Sequence, residues 1–292
     1  MSVGVCTLVV PRVLADSLEG EVVQIVSSGV SDVGRVRTNN EDSFKILDSL
    51  NLYVLSDGMG GEAHGEVASA LAVETVVKCC TEAKEDSGVT LLGGTPDNFG
   101  EKTKKLQNAV RQANLNIFDS AQKNPAQRGM GATLTTIWVS ADKLSVAHVG
   151  DSRAYLLRMG NLQQLTSDHS LVAEQVRRGI ITAQQAEESE MQSVLLRALG
   201  AHPDVEVDVD EIGIFPGDVL LLCSDGLTRM VTEPEIAGTL QAETRPAAAA
   251  QKLVDLANEN GGMDNITVIV VRFQEEAKSW FSWFRRGSVR KD

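Results

Sequence analysis

Four aspartates in this chain stand where an apolar run meets a turn. Asp57 ends the run Leu52-Tyr-Val-Leu-Ser and is followed by Gly58-Met-Gly-Gly61. Asp151 follows Leu144-Ser-Val-Ala-His-Val-Gly150, Asp225 follows Asp218-Val-Leu-Leu-Leu-Cys-Ser224, and Asp264 comes just before Ile266-Thr-Val-Ile-Val-Val271. An aspartate at a turn can hold a cation, and a glycine backbone can bring a carbonyl or an N–H close beside it. One Asp-Gly after a strand is usually only a turn. Four acids, each at the end of a buried-type strand, can bring four carboxylates to one edge of a core. Carboxylates that close raise one another's pKa and disfavour ionisation unless a counter-charge is present. With oxygen donors only, and no His or Cys among them, hard divalent cations are the natural counter-charge.

The elements that would carry these acids can be read from periodicity. Val22–Val26, Ser43–Leu47 and Leu52–Ser56 read as strands, with Gly29 to Asp42 as a polar, turn-rich stretch between the first two. Glu62–Lys78 and Glu101–Gln122 show helical spacing of apolar residues and are joined by a loop over 84–100 rich in Gly, Asp, Ser and Thr. A β region opens at Gly129 and runs through Val139, Leu144–Val149, Arg153–Arg158 and Leu162–Leu165; its short turns favour antiparallel meanders. Ser170–Gly179 and Thr182–Ser189 read as a short helical excursion, followed by strands at Val205–Val209 and Val219–Cys223. Helices at Pro234–Leu240 and Pro246–Asn258 precede the last strand. Helix pairs flanking strands suggest layers within one domain over residues 22–275.

Composition narrows the class. The 292 residues carry a formal net charge of −13, which argues against a nucleic-acid binder that neutralises phosphates broadly; solubility is the plain alternative explanation of that charge. The cysteines Cys6, Cys79, Cys80 and Cys223 have no zinc-site spacing, and their usage fits a reducing, cytoplasmic compartment. Residues 1–21 form an N-terminal extension whose first twenty lack the basic start of a signal peptide, and no window approaches the roughly 20 apolar residues that span a bilayer. Residues 276–292 differ in kind. From Lys278 onward the tail has five basic residues and one acidic, interleaved with Trp280, Phe281, Trp283 and Phe284. Such a stretch suits a membrane surface or a partner; alternatively Trp280 and Phe281 cap the apolar end of the domain.

The motifs fall in a telling order. Arg37-Thr-Asn-Asn-Glu41-Asp42, Asp57-Gly-Met-Gly-Gly61, Gly129-Met-Gly-Ala-Thr133, Val149-Gly-Asp151-Ser-Arg153, Cys223-Ser-Asp225-Gly-Leu227 and Asp264-Asn-Ile-Thr267 follow one another along the chain. This series resembles the metal-dependent PPM-type (type 2C) Ser/Thr protein phosphatases, especially their compact bacterial members, over residues 27–273. The resemblance implies an α+β fold, a four-layer α-β-β-α sandwich with two central antiparallel sheets and a metal site at one end. It implies that Asp57 bridges two Mn²⁺ or Mg²⁺ ions with the Gly58 carbonyl on one of them, and that Asp225 and Asp264 complete the set. Glu41 and Asp42 would act nearby, directly or through water. Asp151 resembles the ligand of a third, weaker metal that shares Asp225, and Arg37 matches the arginine that clamps the substrate phosphate.

Such a set suits phosphomonoester hydrolysis, one of the slowest uncatalysed reactions. Two ions roughly 3.5–4 Å apart can ready a bridging water for in-line attack on phosphorus. Arg37 adds a planar fork that stays charged. No covalent phosphoenzyme is needed, so Cys223 is expected to be a core residue. Where eukaryotic relatives often carry His after the Asp-Gly pair, this chain has Met59, so the leaving-group proton could come from His64, His169 or a metal-bound water. His169, in Ser167-Asp-His-Ser170 ahead of the helical excursion, is the better placed for substrate contact. The implied substrates are phosphoproteins, with a bacterial Ser/Thr kinase and its targets as partners. The competing functions are a catalytically silent phosphoprotein-binding regulator and a small-molecule phosphomonoesterase.

Overall fold

Unbroken apolar runs such as Leu52–Leu55 and Val219–Cys223 are expected of strands covered on both faces, and the fold covers them on both. The computed structural model describes residues 12–14, 23–60, 64–85, 98–140 and 142–275. One antiparallel sheet is built from β1 (Arg12–Leu14), β2 (Val23–Asp32), β8 (Arg153–Arg158), β9 (Asn161–Gln164), β11 (Val219–Cys223) and β12 (Ile266–Glu275), in the order β1-β2-β12-β11-β8-β9. The second, also antiparallel, holds β3 (Asp42–Leu47), β4 (Leu52–Met59), β6 (Leu134–Val139), β7 (Lys143–Val149) and β10 (Asp208–Gly213), in the order β10-β7-β6-β4-β3. The two-residue β5 (Gly131–Ala132) pairs with the end of β4.

The side-chain period of two sorts each strand between two apolar layers. On β4, Tyr53 and Leu55 enter the layer between the sheets, while Leu52 and Val54 face α1 (Gly65–Glu85) and α2 (Glu101–Lys123). On β11, Leu220 and Leu222 meet the opposite sheet, while Val219, Leu221 and Cys223 face α6 (Glu233–Ala242) and α7 (Pro246–Glu259). Helix, sheet, sheet and helix therefore enclose three apolar layers, the four-layer sandwich that the resemblance implied. Cys223 is a core side chain whose burial pushes its thiol up to about 12.

Two elements depart from the sequence reading. β2 continues through Asp32 into the stretch read as turn-rich, with Val30 opposite Val268. Gly29 makes this possible, because a Cβ there would lie 2.5 Å from the Phe44 ring, which packs over the bare backbone. The strand expected at Val205–Val209 forms instead at Asp208–Gly213. Side chains of α2 take up the upstream carbonyls: Asn114 donates to His202 and Pro203, and Gln107 donates to Val207. Their backbone acceptors are thereby satisfied outside the sheet. Between β9 and β10 lies the expected excursion, with α3 (Leu171–Arg177) and α4 (Ala183–Glu187) capped by Ser170 and Thr182. Within the N-terminal extension, Arg12–Leu14 pairs with Val23–Ile25. Residues 276–292, and with them the basic aromatic tail, lie outside the described residues.

Candidate metal centre

Both sheets deliver acids to the same end of the sandwich. Asp42 opens β3 and Asp57 nears the end of β4, directly opposite each other in the antiparallel register. In the facing sheet β11 ends at Cys223, and Ser224 then leads into Asp225, which opens the short helix α5 (Asp225–Thr228). Asp264 stands two residues ahead of β12, and Asp151 lies in the turn from β7 to β8. Asp42 stitches the sheets together, since its Oδ2 accepts from Ser224 Oγ at 2.8 Å and Thr267 Oγ1 at 2.6 Å.

A cleft of about 310 Å³ opens here, lined by Arg37, Glu41, Asp57, Asp151, Asp225 and Asp264 among others. A second cavity, of about 300 Å³, lies at the other end of β4 beside Leu50, Trp138 and Lys102. Among the described residues it gathers no cluster of carboxylates, so the chemistry is assigned to the first. Gly58 is fixed by space: a Cβ would sit 2.1 Å from the Gly65 carbonyl oxygen, where α1 starts. Gly226 is held in the same way, 2.0 Å from the Asn265 carbonyl oxygen.

Backbone clamps set the acids in place. Thr133 Oγ1 accepts from the Asp57 N–H at 3.0 Å, and the Thr133 N–H donates to the Asp57 carbonyl at 2.8 Å. Asn265 accepts from the Glu41 N–H and donates to the carbonyls of Val33 and Asn39, which pins the Arg37–Glu41 loop against the start of β12. Neither residue was singled out from the sequence, although both lie inside motifs quoted there. Arg229, also missed, lies one helical turn beyond Asp225 and lines the cleft. Ser193 and Leu195, from the segment after α4, form part of the rim.

The electrostatics are those of crowded anions. Burial, then repulsion from Asp42, Asp225 and Asp151, raises Asp57 well above the carboxylate range. Burial pushes Asp42 up to about 7 against the hydrogen bonds from Thr267 and Ser224, and burial with Asp225 pushes Asp151 up to about 7. Burial also raises Asp225 and Glu41. Two buried carboxylate oxygens, Asp42 Oδ1 and Asp225 Oδ1, have no hydrogen-bond partner among the described residues. Unpaired anionic oxygens are costly, and an all-oxygen donor set is what Mn²⁺ or Mg²⁺ takes. The residues present therefore fit hard divalent cations. Among the described residues no three acidic, histidine or cysteine side chains form a closed cage. Arg37 Nη2 lies 2.9 Å from Asp264 Oδ2, and Arg229 Nη2 lies 2.5 Å from Asp225 Oδ2, so guanidinium groups hold one oxygen of each acid.

The histidines stand apart from the cleft lining. His64, at φ +66°, is exposed beside Glu66. His169 is buried, and both ring nitrogens are engaged. Its Nδ1 accepts from the Gly150 N–H at 3.0 Å, which leaves the proton on Nε2 to be donated to Asp208 Oδ2 at 3.1 Å. The structure thus puts His169 behind the Asp151 turn, where the sequence reading had it facing substrate.

The protein phosphatase 2C family profile matches residues 34–259. The chain belongs to the protein phosphatase 2C family. Among family members, the serine/threonine phosphatase Stp of Listeria monocytogenes is 37% identical over 244 residues, 82% of this chain and 93% of that protein. The serine/threonine protein phosphatase PstP of Mycobacterium tuberculosis is 40% identical over 240 residues, 82% of this chain and 43% of that protein. The crystal structure of the Mycobacterium tuberculosis phosphatase superposes with a TM-score of 0.74 at 38% identity, covering 87% of this chain and all of that one. A PstP catalytic domain in complex with two manganese ions matches with the same TM-score and identity. Among the described residues of this protein phosphatase 2C chain, no helix is long and apolar enough to cross a membrane.

Proposed function

We propose that this chain is a metal-dependent protein serine/threonine phosphatase that hydrolyses phosphoserine and phosphothreonine monoesters. The observation that carries the reading is the convergence of Asp42, Asp57, Asp151, Asp225 and Asp264 from both sheets, with orphaned carboxylate oxygens, beside the half-exposed guanidinium of Arg37. Family membership and the two manganese ions of PstP support it.

In this reading Asp57, Asp225, Asp264 and the Gly58 carbonyl hold two Mn²⁺ or Mg²⁺ ions, with Glu41 and Asp42 behind them. When bound, the ions lower the pKa of a water and neutralise charge on the phosphate oxygens. Arg37 grips the phosphate through the part of its fork that is not on Asp264. Thr133 and Asn265 keep Asp57 and the Arg37–Glu41 loop from moving as charge develops. Among the described residues no histidine lines the cleft, which supports a solvent source for the leaving-group proton over His64 or His169. The same reading places the protein in the cytoplasm, opposite a Ser/Thr kinase whose targets are its substrates. The 278–292 tail is its candidate contact with an anionic membrane surface.

The test is hydrolysis of p-nitrophenyl phosphate with and without Mn²⁺, then of phosphothreonine and phosphotyrosine peptides. Mn²⁺-dependent turnover that favours phosphothreonine is expected, with Asp57→Asn slower by at least about 100-fold. Full turnover by Asp57→Asn, or turnover indifferent to Mn²⁺, would overturn the reading.

A further inference from the structure

A row of apolar side chains runs beside the charged edge of the cleft. Arg37, Asp264 and Arg229 form that edge: Arg37 Nη2 lies 2.9 Å and Arg229 Nη1 3.8 Å from Asp264 Oδ2. Each has an apolar neighbour in sequence, respectively Val36, Met263 and Met230. The loops that carry these neighbours are stitched together. The Val36 N–H donates to the Gly262 carbonyl at 3.3 Å and the Arg35 N–H to the same oxygen at 2.7 Å, so Val36 and Met263 flank one carbonyl. Gly34 packs so closely that a Cβ there would lie 2.2 Å from the Asp264 carbonyl oxygen. On the other side of Met263, a Cβ built on Gly261 would lie 3.8 Å from Met263 Cγ and 3.7 Å from Met230 Sδ. Gly261 is exposed, so bare backbone floors a notch between the two methionines. Val36 is 56% exposed and Met263 55%.

Apolar side chains exposed one at a time are ordinary. A connected row of them at the rim of a cleft is a place where an apolar group gains by leaving water. Methionine suits such a place, because its flexible, polarisable side chain adapts to what it meets. Continuity with the cleft identifies the occupant. A phosphorylated side chain gripped by Arg37 leaves its own backbone at this rim. An extended chain advances about 3.3 Å per residue, which brings a close neighbour's side chain to the row. We propose that Val36, Met263 and Met230 form a subsite for an apolar side chain of the phosphoprotein substrate, within three residues of the phosphoserine or phosphothreonine. The proposal rests on the phosphatase reading above and adds a substrate class to it: phosphorylated segments with Leu, Ile, Met or Phe close to the phosphorylated residue. In that reading none of the three residues holds metal or phosphate, so the row governs which segment binds and leaves the chemistry to the cleft.

A peptide scan on the full chain in saturating Mn²⁺ tests it. The probes are phosphothreonine peptides of one sequence, with Leu, Ala or Asp placed in turn from the third residue before the phosphothreonine to the third after. At one position or more, Leu is expected to raise kcat/KM about 5- to 30-fold over Ala, with Asp below Ala. Val36→Thr with Met263→Gln keeps size and removes apolar surface. That double variant should cut the Leu advantage to below about 2-fold while its turnover of p-nitrophenyl phosphate stays within about 2-fold of wild type. Equal values for Leu, Ala and Asp at every position overturn the proposal, as does a Leu preference that survives unchanged in the folded double variant. A wild-type dimer in sedimentation velocity that the double variant loses would give the row to a second copy of the chain and likewise overturn it. If the double variant does not fold, Met263→Gln alone and the wild-type scan decide. A wild type with no Mn²⁺-dependent turnover of p-nitrophenyl phosphate fails the phosphatase reading, whereas turnover with a flat peptide scan overturns the subsite alone.

Discussion

At Gly58 the chain has no room for a side chain, and this places a single residue between fold and chemistry. The Cβ of an alanine would meet the Gly65 carbonyl oxygen at 2.1 Å and the Glu41 carbonyl oxygen at 2.7 Å, both backbone atoms that cannot swing aside. Relief requires the start of α1 to move away from β4, taking the Glu41 side of the cleft with it. Gly58→Ala should cost about 1–3 kcal/mol of stability and lose activity beyond that cost. Chemical denaturation alongside turnover at saturating Mn²⁺ checks this, and a variant with both intact would show that the approach is looser than described. At this scale the sequence was informative where type and position coincide. Asp57, Asp225 and Asp264 stood out because an acid set against either end of an apolar run is unusual. Arg229 was not, because an arginine one turn after an aspartate looks the same whether it faces solvent or a cleft. Thr133 and Asn265 act through backbone hydrogen bonds to residues more than seventy positions away, and no local pattern encodes such partners.

Between elements, the hub is His169. Its N–H donates to the Gly150 carbonyl at 2.7 Å, its ring accepts from the Gly150 N–H, and its carbonyl accepts from Leu196 N–H at 2.8 Å. It therefore joins the turn that carries Asp151 to both ends of the excursion containing α3 and α4. Asp208 on β10 secures the ring, and Arg197 Nη1 holds Asp208 Oδ1 at 2.5 Å. His169→Ala frees the Gly150 N–H and removes the ring's bond to Asp208, which loosens the Asp151 turn against the excursion while the backbone bond from Leu196 stays. A rise of about 5- to 30-fold in KM for a phosphothreonine peptide is expected, the equivalent of about 1–2 kcal/mol for one or two lost hydrogen bonds, with kcat changed less. An equal fall in kcat with KM unchanged would instead put His169 in the reaction itself. The excursion was readable as two short helical stretches in the sequence. Its attachment was not, and neither was the register of β10, because side chains of α2, far off in sequence, decide which carbonyls stay outside the sheet.

For the whole molecule, a sandwich that gathers acids at one end stores electrostatic cost there, and metal should release it. Asp42 and Asp151, at about 7 in the folded chain against an ordinary 3.8, hold protons that the unfolded chain has already lost over that interval. Their contribution to stability is therefore full below pH 3.8 and is lost as pH rises through 7. His148 works the other way. Burial lowers its imidazole to about 4, so it loses stability as pH falls from 6.5 toward that value. Two carboxylates, joined by the raised Asp57 and Asp225, outweigh one imidazole. In chelator the melting temperature should thus be higher near pH 5.5 than near pH 7.5. Cations bind the ionised acids and compete with protons, so Mn²⁺ should stabilise more at the higher pH. At a hundred times its dissociation constant the gain is about 2.7 kcal/mol, or roughly 5–10 °C for a chain of this size. Differential scanning fluorimetry at both pH values, in chelator and in Mn²⁺, reads all four conditions. A melting temperature in chelator that climbs from pH 5.5 to 7.5, with a Mn²⁺ increment no larger at the higher pH, would mean that the acids are not the crowded, proton-holding cluster that both sheets build.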